Sequence, residues 1–208
     1  MRALVVYCHP RADSYTAAVR DVVVEQLRLA GAEIRISDLY ARGFQPVLGS
    51  EELDGYLDSP SNELAVADDV SDIRWCDTLV FIYPTWWYGL PAMLKGWLDR
   101  TMLPGVAFTM PQTEGGAIKP ALSHITGVAA FTTCGASRWL TLFMGSQGRK
   151  TILRSLRLLC APRTKTAFAA HYLMDSSTPE SRRRHLENVQ RISRKFAARC
   201  VRQGDLRQ

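Results

Sequence analysis

DTLVFIYPTWWYGLPAMLKGWLDR, residues 77–100, contains a strand, a turn and a helix in immediate succession. The apolar run 77–84 is short and rich in β-branched and aromatic residues, which predicts a buried strand. A helix from about 91 to 100 follows, since Pro91 suits a first helical turn and the apolar side chains beyond it share one face. Such a unit is the building block of sheets whose strands are connected by helices.

The same alternation of strand and helix extends to both sides of this unit. Apolar or alternating runs predict four further strands, at 3–7, 32–39, 125–133 and 164–173. Apolar residues at helical spacing predict helices at about 15–30, 63–75, 139–159 and 176–200, with a loop over about 41–62. Gly145 and Gly148 are expected to loosen the early part of the fourth helix, and Ser177 with Glu180 fits a capping box at the start of the last.

The order of elements predicts one α/β domain over residues 1–208. Strands that alternate with helices form a parallel sheet with helices on both faces, a three-layer sandwich. Five strands favour the flavodoxin-like order 2-1-3-4-5. In that order strands 1, 3 and 4 are neighbours, and ligands bind outside their carboxyl ends. The loops after these three strands should therefore form a single site.

Composition narrows the classes of partner and compartment. The net charge of +6 favours anionic partners, but the chain has no helix-turn-helix, zinc-finger or RNA-binding signature, so we expect no nucleic acid. Five scattered cysteines without a CxxC pair indicate a reducing cytoplasm and no disulfide framework. No two Cys or His residues stand at ligand spacing, so no metal is expected. No stretch approaches the length of a transmembrane helix, and the apolar N-terminal run is too short for a signal peptide.

The loop after the first strand, CHPRADSYT, is suited to phosphate. A helix N-terminus carries free N–H groups and a partial positive charge, and His9, Ser14 and Thr16 can add hydrogen bonds. Neither a Walker loop nor GxGxxG is present, since the loop contains no glycine. The alternative for Ser14 is that it serves only as the N-cap of the helix.

The loops after strands 3 and 4 are suited to a flat ligand. Trp86, Trp87 and Tyr88 lie in a turn between Pro84 and Gly89, where a planar heteroaromatic ring would find stacking surfaces and backbone hydrogen bonds. The alternative is an aromatic plug in a dimer interface. The loop 132–135 supplies small residues for the other edge of the ring. Its Cys134 would be a nucleophile only beside a base, and His124 precedes the strand at its opposite end.

These residues together resemble a known family. YPTWWYGLPAMLKGWLDR, with VVYCHPRADSYTAAV upstream and TTCG downstream, resembles the NAD(P)H:quinone oxidoreductases of the flavodoxin-like fold, which include DT-diaphorase-like enzymes, modulators of drug activity and ancillary proteins of potassium efflux systems. The resemblance covers residues 2–135 well and the last third loosely. It implies a tightly bound flavin whose phosphate region contacts His9, Ser14, Tyr15 and Thr16. The isoalloxazine would contact Pro84, Thr85, Trp86, Trp87 and Tyr88 on one side and Thr132, Thr133, Cys134 and Gly135 on the other. The motif residues Lys95, Trp97, Asp99 and Arg100 are interpreted as packing and ion pairing.

The chain departs from the family pattern just after strand 4. Cys134 replaces the first glycine of Thr-Thr-Gly-Gly, and the Tyr and His that members carry after that loop are absent. Arg138 or Trp139 is the candidate for that space, and no catalytic side chain is certain because the flavin itself carries the chemistry.

The resemblance also implies an activity and an assembly. Hydride would pass from NADPH or NADH through flavin N5 to a quinone-like small-molecule acceptor, with ping-pong kinetics, in a homodimer. FMN and FAD are equally compatible with the sequence. The alternatives are a flavodoxin-type electron carrier and a regulatory subunit bound to a membrane transporter.

Overall fold

The computed structural model describes residues 1–111, 113 and 115–205, with the backbone alone for 202–205. Its strands are β1 Arg2–Tyr7, β2 Glu33–Asp38, β3 Thr78–Thr85, β4 Phe108–Thr109, β5 Lys119–Pro120, β6 Gly127–Cys134 and β7 Lys165–His171. Its α-helices are α1 Tyr15–Leu29, α2 Ser50–Asp54, α3 Ala67–Trp75, α4 Ala92–Thr101, α5 Arg138–Phe143, α6 Gln147–Lys150 and α7 Pro179–Asp205. The predicted strands agree with the five long ones to within two residues.

The sheet confirms the predicted topology. Five parallel strands lie in the order β2-β1-β3-β6-β7, which is 2-1-3-4-5 when only these strands are counted. Two apolar clusters cover the sheet, one on each face, so β3 and β6 are buried on both sides. The strands β1, β3 and β6 are adjacent, so the loops that follow them emerge together at one edge.

Three predictions for the helices were wrong in detail. The segment predicted as a loop over 41–62 contains α2, and the helix predicted over 63–75 starts at Ala67 after a 3₁₀ turn over Ser61–Val66. The helix predicted over 139–159 is broken into α5, α6 and a π-helical stretch over Thr151–Leu156. The break lies at Gly145 and Ser146, whose φ angles of 90° and 50° are left-handed and cannot continue a right-handed helix. Short β4 and β5 form a hairpin that the pattern did not indicate.

The start of α7 is capped by different residues from those predicted. The Thr178 hydroxyl accepts from the Ser181 N–H at 3.1 Å, and the Ser181 hydroxyl accepts from the Thr178 N–H at 3.0 Å. The capping pair is therefore shifted by one residue from Ser177 and Glu180, because Pro179 takes the first helical position. In the described part of the chain, no helix combines the length and apolarity needed to cross a membrane.

The interpretation of the α4 motif residues as structural agrees with their contacts. The Trp97 indole donates to Asp69 at 2.7 Å, and Lys95 pairs with Asp99 one turn away. Arg100 is buried and bonds to Glu52 and to a backbone carbonyl of the loop before α2. These contacts fix α4 directly behind the turn that leads into it.

Candidate functional site

The loops after β1, β3 and β6 share one cleft of about 620 Å³ at the carboxyl end of the sheet. Strand register explains why they meet, since Pro84 lies beside Thr133 and Thr85 beside Cys134. The cleft is lined by His9, Pro84, Thr85, Trp86, Trp87, Tyr88, Thr133, Cys134, Gly135, Ala136, Leu140, Met174 and Asp175. Nine of these thirteen were among the site residues predicted from the sequence.

The aromatic turn, Trp86–Gly89, is a tight turn that places its aromatic rings outward. The Gly89 N–H donates to the Trp86 carbonyl at 2.9 Å, and the two residues between them have left-handed φ angles of 46° (Trp87) and 60° (Tyr88). That combination is a type I′ turn, which Asn and Gly prefer. Trp87 is 95% exposed, so its ring makes almost no contact with the rest of the chain. The turn therefore presents flat apolar surface at the cleft.

His9 brings a neutral imidazole to the cleft. Its Nδ1 lies 3.0 Å from the Arg11 nitrogen and 3.2 Å from the Arg11 carbonyl oxygen, so one neutral tautomer accepts from the N–H and the other donates to the carbonyl. Burial lowers the pKa of His9, which keeps the ring uncharged at neutral pH. The ring centroid lies 6.4 Å from that of Trp86, which joins the first loop to the aromatic turn.

The hydroxyl groups at the start of α1 have structural partners. Ser14 is the N-cap, since its oxygen accepts from the Ala17 N–H at 3.1 Å. Thr16 is buried, and its hydroxyl lies 3.4 Å from that of Thr133, which joins α1 to β6. Neither residue lines the cleft itself, although both lie in the turn that would bind phosphate. Ser14 is therefore the N-cap of α1, and its predicted contact with a phosphate stays a prediction.

The Tyr15 side chain faces α7 and not the cleft. Its hydroxyl donates to the Arg182 carbonyl at 2.9 Å and lies 2.8 Å from His185 Nδ1, both on α7. The structure therefore does not bring Tyr15 to the cleft. Its first-turn position on α1 turns its side chain toward α7, whereas Ser14 and Thr16 face β1 and β6.

The last residue of β6 and the loop after it line the cleft with a buried thiol, Cys134, and a glycine, Gly135. Cys134 Sγ lies 3.5 Å from the Thr141 hydroxyl, while His124 bonds to the Ile73 carbonyl at the opposite end of the strand, so no pairing between the two exists. Thr132 is tied to Thr85 by a 2.9 Å hydrogen bond between their hydroxyls. At Gly135 a Cβ would lie 2.4 Å from Oδ2 of Asp175, so a side chain there would compete with this carboxylate.

Sequence reasoning missed four residues of the cleft. Ala136 and Leu140 extend the third loop, and Met174 with Asp175 comes from the connection between β7 and α7. The topology contained a signal for the latter pair, since strand 5 neighbours strand 4 and ends at the same edge. The candidates Arg138 and Trp139 do not line the cleft, because the inward face of α5 carries Leu140, while Trp139 stacks on Phe143 with centroids 5.6 Å apart.

Comparison with known proteins gives a family and several relatives. A family model described as "Flavodoxin-like fold" matches residues 1–191. NAD(P)H dehydrogenase [quinone] 1 of Cavia porcellus is 35% identical over 124 residues, which are 52% of this chain and 45% of that protein. The solved NAD(P)H:quinone oxidoreductase from Methanothermobacter marburgensis has a TM-score of 0.77 at 24% identity, covering 93% of this chain and 94% of that one. An FMN-dependent NADH-azoreductase from Bacillus anthracis in complex with FMN has a TM-score of 0.72 at 15% identity, covering 95% and 100%.

These similarities differ in what they show. The chain spans about half the length of the curated relatives it matches. At below 25% identity, the solved structures show a shared fold. The family model and the solved structures cover most of the chain, whereas the sequence likeness to the named enzymes covers about half of it.

Proposed function

The chain belongs to the flavodoxin-like fold family, and from that premise we propose that it is a flavin-dependent NAD(P)H oxidoreductase that transfers hydride to a quinone-like acceptor. The observation that carries the proposal is the convergence of the loops after β1, β3 and β6 on one cleft. In open parallel sheets this edge is where ligands bind. The names of the similar curated proteins, quinone dehydrogenases and an NAD(P)H oxidoreductase, support the same activity.

The residues of the cleft fit a flavin. The volume of about 620 Å³ lies within the range of small-molecule sites. The aromatic turn offers exposed rings for stacking against a flat tricycle, and the exposed Gly135 lines the same cleft. The free N–H groups of the first turn of α1 suit a phosphate, and α1 is long enough, at 15 residues, to present a full helix terminus.

When bound, the flavin would supply the hydride relay between NAD(P)H and the acceptor. The side chains of this chain would bind and orient it. His9 remains neutral and can form a hydrogen bond through Nε2 without adding charge. The Thr85–Thr132 hydrogen bond holds the ends of β3 and β6 at a fixed spacing, so both loops keep their places when a ring is inserted between them. The exposed side of the aromatic turn leaves room for the nicotinamide donor and the acceptor to use one face in succession.

The first experiment identifies the cofactor. The purified full chain is heated to release any bound chromophore, which is separated by chromatography and weighed by mass spectrometry. We expect a yellow protein and one flavin per chain, and the mass distinguishes FMN from FAD. A colourless protein that also fails to bind either flavin on reconstitution contradicts the proposal.

The second experiment tests turnover. NADPH or NADH alone should bleach the bound flavin rapidly, and initial rates with a benzoquinone acceptor should give parallel double-reciprocal lines, because donor and acceptor use one site in turn. Intersecting lines would contradict the shared site. Bound flavin that neither NADH nor NADPH reduces would instead favour an electron carrier.

We further propose that the protein is a cytoplasmic homodimer with the cleft at its interface. All five cysteines are buried free thiols, as expected in a reducing compartment. Exposed aromatic side chains lie beside the cleft, on the aromatic turn and on α5, and aromatic residues are enriched in interface cores.

A further inference from the structure

Three aromatic side chains from three elements meet behind the first turn of α1. This histidine cluster consists of Tyr15 from α1, His171 at the end of β7 and His185 from α7. The ring centroids are 5.0 Å apart for the two imidazoles, 5.4 Å for Tyr15 and His171, and 5.9 Å for Tyr15 and His185. His171 lies in register with Thr133, so the cluster directly adjoins the edge of the sheet where the cleft opens.

Hydrogen bonding determines the protonation state that the cluster requires. The phenol of Tyr15 has one proton, which it donates to the Arg182 carbonyl at 2.9 Å. The 2.8 Å contact with His185 Nδ1 must then be a bond that the imidazole donates. The neutral ring carries its proton on Nδ1, and Nε2 is left as a bare acceptor.

The remaining nitrogens have no partners. Nε2 of His185 and Nδ1 of His171 are buried and make no hydrogen bond, and each residue is only 7% exposed. A metal does not explain them, because among the described residues no third His, Cys, Asp or Glu completes a group with them. A proton added to Nε2 of His185 would introduce a buried charge whose N–H has no acceptor.

The surroundings disfavour that charge. The titratable and charged groups that face the imidazoles are Tyr15 from α1, Arg182 from α7 and the imidazoles themselves. Burial lowers the pKa of His171 more than hydrogen bonding to the Tyr172 and Ser181 backbones, from β7 and the start of α7, raises it. In the part of the chain that the structure describes, no carboxylate is among these groups, and Arg182 and a neighbouring imidazolium both repel a positive charge.

We propose that the histidine cluster positions the first turn of α1 against α7 only while both imidazoles are neutral, so that mild acid loosens this turn and releases the anionic ligand held there. His185 is a positioning residue that acts through Tyr15, the residue between Ser14 and Thr16. The release of a ligand rests on the proposed function, whereas the acid sensitivity of the cluster does not.

The direction of the pH dependence follows from the burial of the two rings. Burial lowers the pKa of His185 to about 4 from its ordinary 6.5, and that of His171 is lowered for the same reason. Between pH 6.5 and about pH 4, the His185 imidazole carries a proton in the unfolded chain but not in the folded one. Folding stability is therefore complete above the ordinary pKa and falls as pH drops toward 4, by up to about tenfold in the folding equilibrium constant per pH unit for each such group.

The first test is urea unfolding of the full chain without flavin between pH 4.5 and 7.5. His185→Asn retains an amide donor for Tyr15 but cannot titrate. The matched control is His124→Gln, which keeps the donor to the Ile73 carbonyl at the other end of the sheet. Between pH 6 and pH 4.5, we expect the folding equilibrium constant of His185→Asn to fall about tenfold less than that of the wild type. The folding equilibrium constant of His124→Gln should fall by as much as that of the wild type.

Two results would overturn the acid sensitivity of the cluster: an unchanged pH slope in His185→Asn, or an equal loss of slope in His124→Gln. Should His185→Asn fail to fold, His171→Gln provides the same comparison at the other unpartnered imidazole. A His171→Gln protein whose folding equilibrium constant depends on pH as that of the wild type does would likewise contradict the acid sensitivity of the cluster.

The second test measures the dissociation constant of flavin mononucleotide by fluorescence quenching at pH 7 and pH 5. We expect the wild type to bind more weakly at pH 5 than at pH 7, and His185→Asn to show a smaller loss. Equal losses in both proteins would overturn the coupling to α1. A wild type that binds neither flavin mononucleotide nor FAD at pH 7 would overturn the proposed function and the ligand release, while the unfolding series still decides on the cluster.

Discussion

Trp87 shows how one residue reveals a binding surface. A left-handed backbone costs a residue with a side chain about 1–2 kcal/mol, and Trp87 adopts it with a φ of 46°. Its ring is almost fully exposed, so no packing within the chain offsets that cost. Backbone strain of this kind accumulates at ligand sites. The residue is therefore better explained by a ligand that covers its ring than by folding.

Trp87→Asn separates the two explanations. Asn tolerates the left-handed region, so we expect the cofactor-free protein to gain about 1 kcal/mol in its free energy of unfolding. Loss of the ring should weaken flavin binding by about three- to tenfold, the usual contribution of one aromatic contact. Urea unfolding and flavin titration measure the two quantities.

Trp139→Asn is the control for Trp87→Asn. Trp139 is also exposed, but it lies within α5 and has no left-handed strain to relieve. Trp139→Asn should give no gain in the free energy of unfolding, since Trp and Asn have similar helix propensities. A destabilised Trp87→Asn protein, or one with unchanged flavin affinity, would contradict the interpretation of the turn.

Prediction from sequence succeeded where a residue's place followed from its distance to a strand end. Pro84 to Tyr88 line the cleft because they form the carboxyl end of β3 and the turn that follows it. The orientation of the Tyr15 side chain could not be predicted, because a helix turns successive side chains by about 100°, and no local pattern shows which of Ser14, Tyr15 and Thr16 faces α7. Asp175 was missed because its contact with Gly135 joins segments 40 residues apart.

At the scale of elements, α4 reverses a rule of helix propensity. Gly96 lies in the middle of this helix, where Gly→Ala normally stabilises by about 1 kcal/mol. Here a Cβ would lie 2.1 Å from the Pro46 carbonyl oxygen and 2.5 Å from its Cβ. Both atoms belong to the segment that Arg100 bonds at Gln45, so they cannot retreat easily.

We therefore expect Gly96→Ala to lower the free energy of unfolding by about 2 kcal/mol, since overpacking outweighs propensity. Urea unfolding at neutral pH measures it. Gly55→Ala is the control, because at the end of α2 the nearest atom to a new Cβ is 3.7 Å away. The free energy of unfolding of Gly55→Ala should stay within about 0.5 kcal/mol of that of the wild type. A stabilised Gly96→Ala protein would show that α4 does not approach Pro46 so closely.

Element types were predictable where apolar periodicity was continuous, and less so where backbone geometry interrupts it. The five long strands and α1 follow their apolar patterns closely. The segment 139–159 keeps helical composition, yet Gly145 and Ser146 adopt left-handed angles and divide it. A serine in that conformation has no signature in the sequence, so the break at Ser146 could not be located from composition.

At the scale of the whole molecule, exposed aromatic surface surrounds the cleft. Trp139 and Phe143 are 72% and 74% exposed and stack on one another, while Leu140 of the same helix lines the cleft together with Trp87. Contiguous apolar surface beside a polar site indicates a contact with another molecule. A second copy of this chain would cover the patch and narrow the cleft at the same time.

If that copy is the partner, Trp139→Glu combined with Phe143→Glu should convert a dimer into a monomer, because two carboxylates would be buried in an apolar contact. Light scattering coupled to size-exclusion chromatography measures the mass. Leu29→Glu is the control, since Leu29 is equally exposed, at 71%, at the end of α1. It should leave the dimer intact. A wild-type protein that is monomeric at micromolar concentration, or a double variant that remains dimeric, would place the interface elsewhere or remove it. Because the cleft and the patch share α5, the monomer should also bind flavin more weakly than the dimer, which a flavin titration of the same two samples would show.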